Sequence, residues 1–144
     1  LAYCRGRAGD AAGAAAAFAE LLPIRERLLG PEHPDTLLAR HNLAYCRGRA
    51  GDAAGAAAAF AELLPIRERL LGPEHPDTLR TRGNLARWRG EAGDAAGAAA
   101  AFAELLPIYE RVLGPDHPDT KVARDNLAYW QKVAHRTGGD TTEM

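Results

Sequence analysis

The sequence predicts an all-α protein, an α-solenoid in which antiparallel helix pairs stack one after another. The 144-residue chain repeats every 42 residues, so that residues 1–42 and 43–84 differ at only three positions. Apolar residues inside each copy recur at helical spacing. Glycine and proline occur where each copy would turn from one helix to the next.

The repeat also sets the domain organisation. Residues 1–42, 43–84 and 85–126 are full copies, and residues 127–136 begin a partial fourth copy. We predict one repeat domain over residues 1–136 and a disordered tail over residues 137–144. Because the chain starts inside a repeat without methionine, we expect it to be part of a longer array. Its richness in Ala, Gly, Arg and Pro is typical of a GC-rich bacterial gene.

Each full copy is predicted to contain two helices, named A and B. Pro34 suits the first turn of a helix A, because its missing N–H costs nothing there. Gly51 ends that helix, and Asp52 is suited to cap the helix B that follows. Pro65 lies inside this helix B, but the apolar spacing continues through it, so we expect one kinked helix. The predicted bounds are about 34–49, 76–91 and 118–136 for the A helices and about 10–29, 52–71 and 94–113 for the B helices.

Composition excludes several classes of function. The net charge of −1 argues against a protein that coats nucleic acid. We find no apolar stretch long enough to span a membrane and no secretory signal. The glycines at 48, 51 and 55 lack the Lys-Ser/Thr of a phosphate loop. We therefore expect a binding protein and not an enzyme, with no cofactor, no nucleic-acid partner and no membrane partner.

Two cysteines, Cys4 and Cys46, occupy the same place in successive copies. Stacked helices lie about 8–10 Å apart, whereas a disulfide needs Cα atoms within about 7 Å. We therefore expect reduced thiols and a cytoplasmic protein. Trp88 and Trp130 take this place in the later copies, which predicts a position that is not tightly enclosed.

Histidine recurs once per copy, as His33, His75 and His117. Stacking would separate these side chains by about one repeat each, so they cannot converge on one metal ion. We predict that each makes a hydrogen bond at a helix start, and that His41 and His135 have a similar structural role. Metal ligands are predicted nowhere in the chain.

Residues at several spacings resemble those of the tetratricopeptide repeat (TPR) family. The matching residues are Asn42-Leu43-Ala44, Gly51-Asp52, Ala56, Phe60 and Leu64. The TPR unit has 34 residues, and the longer unit here, with its Leu-Gly-Pro-Glu-His-Pro loop at 71–76, resembles the 42-residue class of kinesin light chains and bacterial signalling proteins. Over about residues 1–136, the resemblance implies a right-handed TPR-like superhelix whose A helices line a concave groove for a protein or peptide partner.

The A helices each carry a net charge of +2, although the whole chain is nearly neutral. If they line a groove, as the resemblance implies, that groove is basic and would attract an acidic segment. Alternatively, the arginines neutralise acids on neighbouring helices. For the arginines that recur at 40, 82 and 124 and at 5, 47 and 89, we expect a structural ladder.

A candidate binding groove follows from these expectations and from the differences between copies, which concentrate on helix A. Asparagine lines the groove in the resembled family and can hold an extended peptide backbone. Arginines would hold carboxylates, and tyrosines would stack on side chains. The predicted groove residues are Asn42, Tyr45, Arg49, Arg80, Asn84, Arg87, Asn126 and Tyr129.

Two other functions remain open. Residues 1–8 are predicted to supply only half of a helix A, so the first helix B lacks a full partner and molecules could stack end to end. An exposed Trp130 near the other end would suit such self-association. The resemblance also allows a sensor array attached to a nucleotide-switching signalling protein.

Overall fold

The computed structural model describes residues 8–139, which form six α-helices and no strand within that range. Each helix packs against the next one in the chain, and α4 also contacts α2 and α6. The A helices α2, α4 and α6 therefore adjoin one another, and the B helices are α1, α3 and α5. The predicted stack of helix pairs is confirmed. The bounds are α1 Ala8–Leu29, α2 Pro34–Arg49, α3 Ala53–Leu71, α4 Pro76–Glu91, α5 Ala95–Leu113 and α6 Pro118–Gly139.

Most helix ends lie where the sequence predicts them. Helix α3 continues through Pro65 as one helix. Asp52 caps it by accepting a hydrogen bond from the Gly55 amide at 2.9 Å, and Gly72 follows its end with a φ of 95°. Helix α6 continues to Gly139, three residues into the segment predicted to be disordered. The rest of that segment, 140–144, lies outside the described residues, and so does the half helix predicted at 1–8, except for Ala8, which begins α1.

The core lies between the A and B helices. Phe60 and Leu63 of α3, like their equivalents Phe102 and Leu105 of α5, are fully buried. A buried threonine in the first turn of each helix A also reaches the preceding helix B. The hydroxyls of Thr36, Thr78 and Thr120 donate to the carbonyls of residues 25, 67 and 109 at 3.4, 3.4 and 3.3 Å.

Successive A helices meet through a tryptophan and a glycine. Trp88 is only 4% exposed, and a Cβ added to Gly48 would lie 2.6 Å from its ring. Trp130 is 3% exposed and meets Gly90 in the same way, at 2.7 Å. The prediction that this position is open, and that Trp130 is exposed, is therefore wrong. The missing side chain on the neighbouring helix A makes room for a large ring inside the array.

The prediction for the cysteines is also wrong. Cys46 is 0% exposed and disulfide-bonded, while Cys4, the only other cysteine of the chain, lies outside the described residues. The prediction equated the distance between helix axes with the distance between Cα atoms. Because Cα atoms lie about 2.3 Å from their axis, facing residues on helices about 9 Å apart come within about 4–5 Å. The argument for a cytoplasmic protein from reduced thiols therefore fails.

Helix α6 differs from the other A helices on its outer face. Four exposed residues form one stripe at spacings of four, three and four, namely Lys121, Asp125, Ala128 and Lys132. The equivalent residues of α4 are Leu79, Gly83, Ala86 and Gly90. In α4 this stripe contacts α5 and α6, and Leu79 and Ala86 are buried in the core there. Charge thus replaces apolar or small residues where a further repeat would pack.

Candidate functional site

Two adjacent clefts lie between successive A helices, and a helix B forms the floor of each. Cleft 1 lies between α2 and α4 and encloses about 520 Å³. Cleft 2 lies between α4 and α6 and encloses about 110 Å³. Cleft 1 is lined by Pro34, Asp35, Leu38, His41, Asn42, Arg67, Asp77 and Arg80. Cleft 2 is lined by Arg80, Gly83, Asn84, Arg87, Phe102, Tyr109, Asp119, Val122, Ala123 and Asn126.

The floor of cleft 1 holds a buried arginine. Arg67 of α3 is 7% exposed, and its Nη1 donates to His41 Nδ1 at 3.2 Å and to the Thr81 hydroxyl at 2.9 Å. The same nitrogen approaches the carbonyl of Asp77 at 3.5 Å. Thr81 can accept from Arg67 because it donates its own proton to that carbonyl at 3.1 Å. Burial is the largest effect on the pKa of Arg67 and lowers it below its usual value. The positive charge of Arg80 also lowers this pKa, while the negative charge of Asp77 partly offsets the decrease.

His41 is neutral in this arrangement. A guanidinium can only donate, so Nδ1 of His41 must accept and Nε2 must carry the proton. The ring is 4% exposed and meets Phe60 edge to face, with 5.1 Å between the ring centroids. Burial, followed by the positive charge of Arg67, lowers the pKa of His41 from 6.5 to about 4. The floor therefore carries one positive charge at neutral pH.

Cleft 2 has an uncharged floor. Tyr109 replaces the arginine, and its hydroxyl donates to the carbonyl of Leu79 at 2.8 Å. Burial, and to a smaller extent the negative charge of Asp119, raise the pKa of Tyr109 to about 12, so the phenol keeps its proton. Gly83 replaces the histidine, and an added Cβ would lie 3.4 Å from the Tyr109 hydroxyl. Arg80 stands between the two clefts and contacts Asp77 at 3.3 Å and Asp119 at 3.2 Å.

Five of the eight predicted groove residues line these clefts. Asn42 and Arg80 line cleft 1, while Arg80, Asn84, Arg87 and Asn126 line cleft 2. Asn84 and Asn126 donate to carbonyls of their own helices, at 3.1 and 2.9 Å. The Oδ1 atom of Asn42 is buried without a hydrogen-bond partner among the described residues.

The other three predicted residues lie outside the linings. Tyr45 packs edge to face on Trp88, and Arg87 extends over both rings, 5.8 and 4.6 Å from their centroids. Tyr129 is largely exposed and meets Trp130 edge to face at 4.7 Å. Arg49 is half-buried in the last turn of α2.

Much of the positive charge of the A helices does not face the clefts. Arg40 contacts Glu62 of α3 at 3.8 Å, and Arg124 contacts Glu110 of α5 at 3.6 Å. Arg40 pairs with the helix that follows its own and Arg124 with the helix that precedes its own, so the structural ladder for these arginines stays a prediction. Charge counting along helix A therefore overestimates how basic the clefts are, since Arg80 also has two carboxylate partners.

Sequence reasoning missed the floor residues Arg67, Thr81 and Tyr109 as parts of a site. Arg67 and Tyr109 lie on helix B, which is nearly constant between copies, whereas Thr81 lies on helix A and its hydrogen bond to Arg67 cannot be seen in the sequence. A usable signal was present, however. Position 67 is one of three positions outside helix A at which copies two and three differ.

The recurring histidines have the predicted structural role. Nδ1 of His33, His75 and His117 accepts from the amide two residues later, at 3.1, 3.0 and 3.0 Å. Each histidine thereby satisfies an N–H at the start of a helix A. No group of three or more His, Cys, Asp or Glu side chains between residues 8 and 139 could hold a metal ion. None of the helices described is both long and apolar enough to cross a membrane.

Solved structures with similar folds also consist of stacked repeats. The nearly identical TPR-like repeats of a kinesin light chain candidate from Podosopora anserina match with a TM-score of 0.79 at 23% identity, over 91% of this chain and 62% of that one. A single-substitution variant of the same Podosopora anserina repeats matches with a TM-score of 0.77 at 24% identity, over 85% and 57%. BtubC (BKLC) from P. vanneervenii matches with a TM-score of 0.75 at 22% identity, over 88% and 51%.

These likenesses establish the fold alone, and this chain spans between 51% and 62% of the length of those proteins. No curated protein matches the sequence. The sequence model of the tetratricopeptide repeat, however, matches residues 1–69 and 41–111, which together make up more than half of the chain. The helix pairs, their Asn-Leu-Ala and Gly-Asp residues and this match agree, and the chain belongs to the tetratricopeptide repeat family.

Proposed function

We propose that the protein is an interaction scaffold that binds an extended peptide segment of a partner protein across clefts 1 and 2. Repeats of this family commonly mediate protein–protein interaction. The observation that supports the proposal most directly is the pair of adjacent clefts, each lined by an asparagine and an arginine. A segment that crosses α2, α4 and α6 would meet this pattern twice.

The side chains suggest how the segment is held. Asn42, Asn84 and Asn126 stand at equivalent positions of successive A helices. The amide oxygens of Asn84 and Asn126 can accept from a peptide backbone, whereas that of Asn42 is buried. Arg87 can pair with an acidic side chain while its planar group rests on the Tyr45 and Trp88 rings. Tyr129 offers an exposed ring for stacking. Arg49 remains a candidate at the end of α2.

Reversing one charge tests the groove. In Arg87→Glu we expect an acidic peptide, selected by display on the wild-type protein, to bind about tenfold more weakly, because attraction becomes repulsion. Arg89→Glu is the matched control, since Arg89 lies on the same helix but lines a different cleft, against α5. Fluorescence anisotropy with a labelled peptide measures both. Equal affinity of the two variants would refute binding across clefts 1 and 2.

The remaining expectations extend this proposal. We propose that the chain acts without catalysis and without a cofactor, as scaffolds of this family typically do. A cytoplasmic location stays a prediction, although the Cys46 disulfide is more typical of oxidising compartments. Attachment to a nucleotide-switching signalling domain also stays a prediction.

Self-association is the alternative function, and the two ends of the array differ in their suitability for it. On α1, a cavity of about 340 Å³ is lined by apolar residues and one arginine, namely Ala14, Ala17, Phe18, Leu21 and Arg25, and Leu28 is exposed. This surface could receive a helix A from another molecule. Helix α6, however, presents Lys121, Asp125 and Lys132 where a helix B would have to pack. Burying those unpaired charges would oppose end-to-end stacking.

Replacing the charged stripe of α6 tests this alternative. Lys121→Leu, Asp125→Gly and Lys132→Gly together restore the residues of α4. We expect the triple variant to associate end to end and the wild-type protein to stay monomeric, because only the variant offers an uncharged face. Sedimentation velocity from micromolar to near-millimolar concentration measures both. Large species formed by the wild-type protein would make self-association the leading function.

A further inference from the structure

Three differences between copies converge on the floor of cleft 1. His41, Arg67 and Thr81 come from three different helices and are joined by hydrogen bonds through Arg67. Cleft 2 has other residues at all three equivalent positions, namely Gly83, Tyr109 and Ala123. Two wall residues differ as well, since Leu38 and Arg80 of cleft 1 correspond to Arg80 and Val122 of cleft 2, but only the three floor residues are joined through Arg67. The substitutions therefore act together on one small volume and give cleft 1 a different chemistry.

The Arg67 guanidinium keeps two donors for a ligand. All its hydrogen bonds to described residues use Nη1, which leaves Nε and Nη2 without an acceptor in this part of the chain. No carboxylate among the described residues forms an ion pair with Arg67, although the side chain is buried and lines the cleft. The N–H bonds of Nε and Nη2 point the same way, the arrangement that a carboxylate meets with both oxygens.

The charges around the cleft favour a monoanion. Asp35 and Asp77 also line cleft 1, and Asp77 is already paired with Arg80 at 3.3 Å. His41 contributes no positive charge, because its Nδ1 accepts from Arg67. A single guanidinium can balance one carboxylate, whereas a phosphate dianion would add repulsion from the two aspartates.

We propose that cleft 1 is a carboxylate pocket, in which Nε and Nη2 of Arg67 hold both oxygens of an Asp or Glu side chain of the bound segment. This inference rests on the proposed peptide-binding function, and it adds the position at which that segment must be acidic. Cleft 2 has a neutral Tyr109 floor and a smaller volume, so an acidic side chain bound there would meet the arginines of its walls and no guanidinium at its floor.

Nuclear magnetic resonance with sodium propionate tests the pocket without a known partner. Propionate presents the carboxylate of a Glu side chain, and we expect it to shift the Arg67 Nε–H signal saturably at constant ionic strength. Inorganic phosphate should act more weakly. A shift no larger than that given by sodium chloride would overturn the proposal, and so would phosphate binding as strong as that of propionate.

A matched variant separates the pocket from the groove. His41→Gly, Arg67→Tyr and Thr81→Ala together copy the floor of cleft 2 into cleft 1. We expect a display-selected acidic peptide to bind this variant roughly ten- to hundredfold more weakly, as for a lost charge-assisted hydrogen bond. Exchanging the critical Glu of the peptide for Gln should weaken binding to the wild-type protein only.

The outcomes distinguish the two proposals. Peptide binding that is lost in Arg87→Glu but unchanged in the triple floor variant would refute the carboxylate pocket and keep the groove. If display yields no peptide, the proposed function fails, while the propionate titration of the wild-type protein still decides whether Arg67 binds carboxylate. If the triple variant does not fold, the same titration of the wild-type protein still tests the carboxylate pocket.

Discussion

Gly48→Ala is expected to destabilise the protein by about 1–3 kcal/mol, although alanine is normally the better residue inside a helix. The added methyl would lie 2.6 Å from the Trp88 ring, which is buried and cannot move aside freely. The cost of overpacking should therefore exceed the gain in helix propensity. Urea unfolding followed by circular dichroism measures the change in the free energy of unfolding.

Gly13→Ala is the matched control for this substitution. Gly13 lies inside α1 and an added Cβ meets no atom of residues 8–139 within 4 Å, so we expect stabilisation by about 0.5–1 kcal/mol. Replacing Trp88 with Leu should remove most of the Gly48→Ala penalty, and a double-mutant cycle isolates that coupling. If Gly48→Ala stabilises the protein as Gly13→Ala does, the close contact between the A helices does not exist in solution.

Acidification is expected to cost about 3 kcal/mol of stability through His41 alone, because its pKa falls from 6.5 to about 4 on folding. Between these values the unfolded chain binds a proton that the folded protein does not. Stability is therefore complete above about pH 6.5 and is lost as the pH falls towards 4. Protonation would also place a second cation against Arg67, whose Nη1 lies 3.2 Å from the ring.

The comparison with His41→Gly isolates this contribution. Glycine occupies the equivalent position 83, so the variant uses a residue that this fold already accepts there. We expect lower stability at neutral pH but a clearly flatter dependence between pH 6.5 and 4.5. Urea unfolding at half-unit pH steps measures both proteins. Parallel pH profiles would mean that His41 titrates normally in the folded state.

Local signals predicted the fold well. The proline at each helix A start and the Gly-Asp pair before each helix B act within a few residues, so their effect can be read from the sequence. The prediction of one helix through Pro65 is confirmed, because apolar spacing on both sides of it stays in phase, while the predicted kink stays a prediction.

Contacts between repeats were harder to predict. The burial of Trp88 depends on Gly48, forty positions away, and the pairing becomes visible only when the A helices are placed side by side. The Cys46 prediction failed for the same reason, since it rested on an average helix spacing. Likewise, the charges of helix A could be counted, but not assigned to the clefts or to partners such as Glu62.

The cleft floor shows a further limit of sequence reasoning. Differences between copies were interpreted as marks of the groove, which led to Arg87, while the constant Asn84 was chosen from the family resemblance; both line cleft 2. Arg67 was passed over because it lies on the otherwise constant helix B. Burial and hydrogen-bond partners, rather than frequency of change, identify it as a site residue.

The unequal floors of the two clefts also bear on how a ligand finds its place. In an array of identical units, a bound strand could slip by one unit and lose little energy, so several alignments would coexist. The change from Arg67 to Tyr109 removes this translational symmetry. A strand with one carboxylate then has only one alignment in which that group reaches a guanidinium at a cleft floor, and its position along the array follows from that contact. A few substitutions between duplicated repeats can thus make binding positions that were equivalent differ from one another.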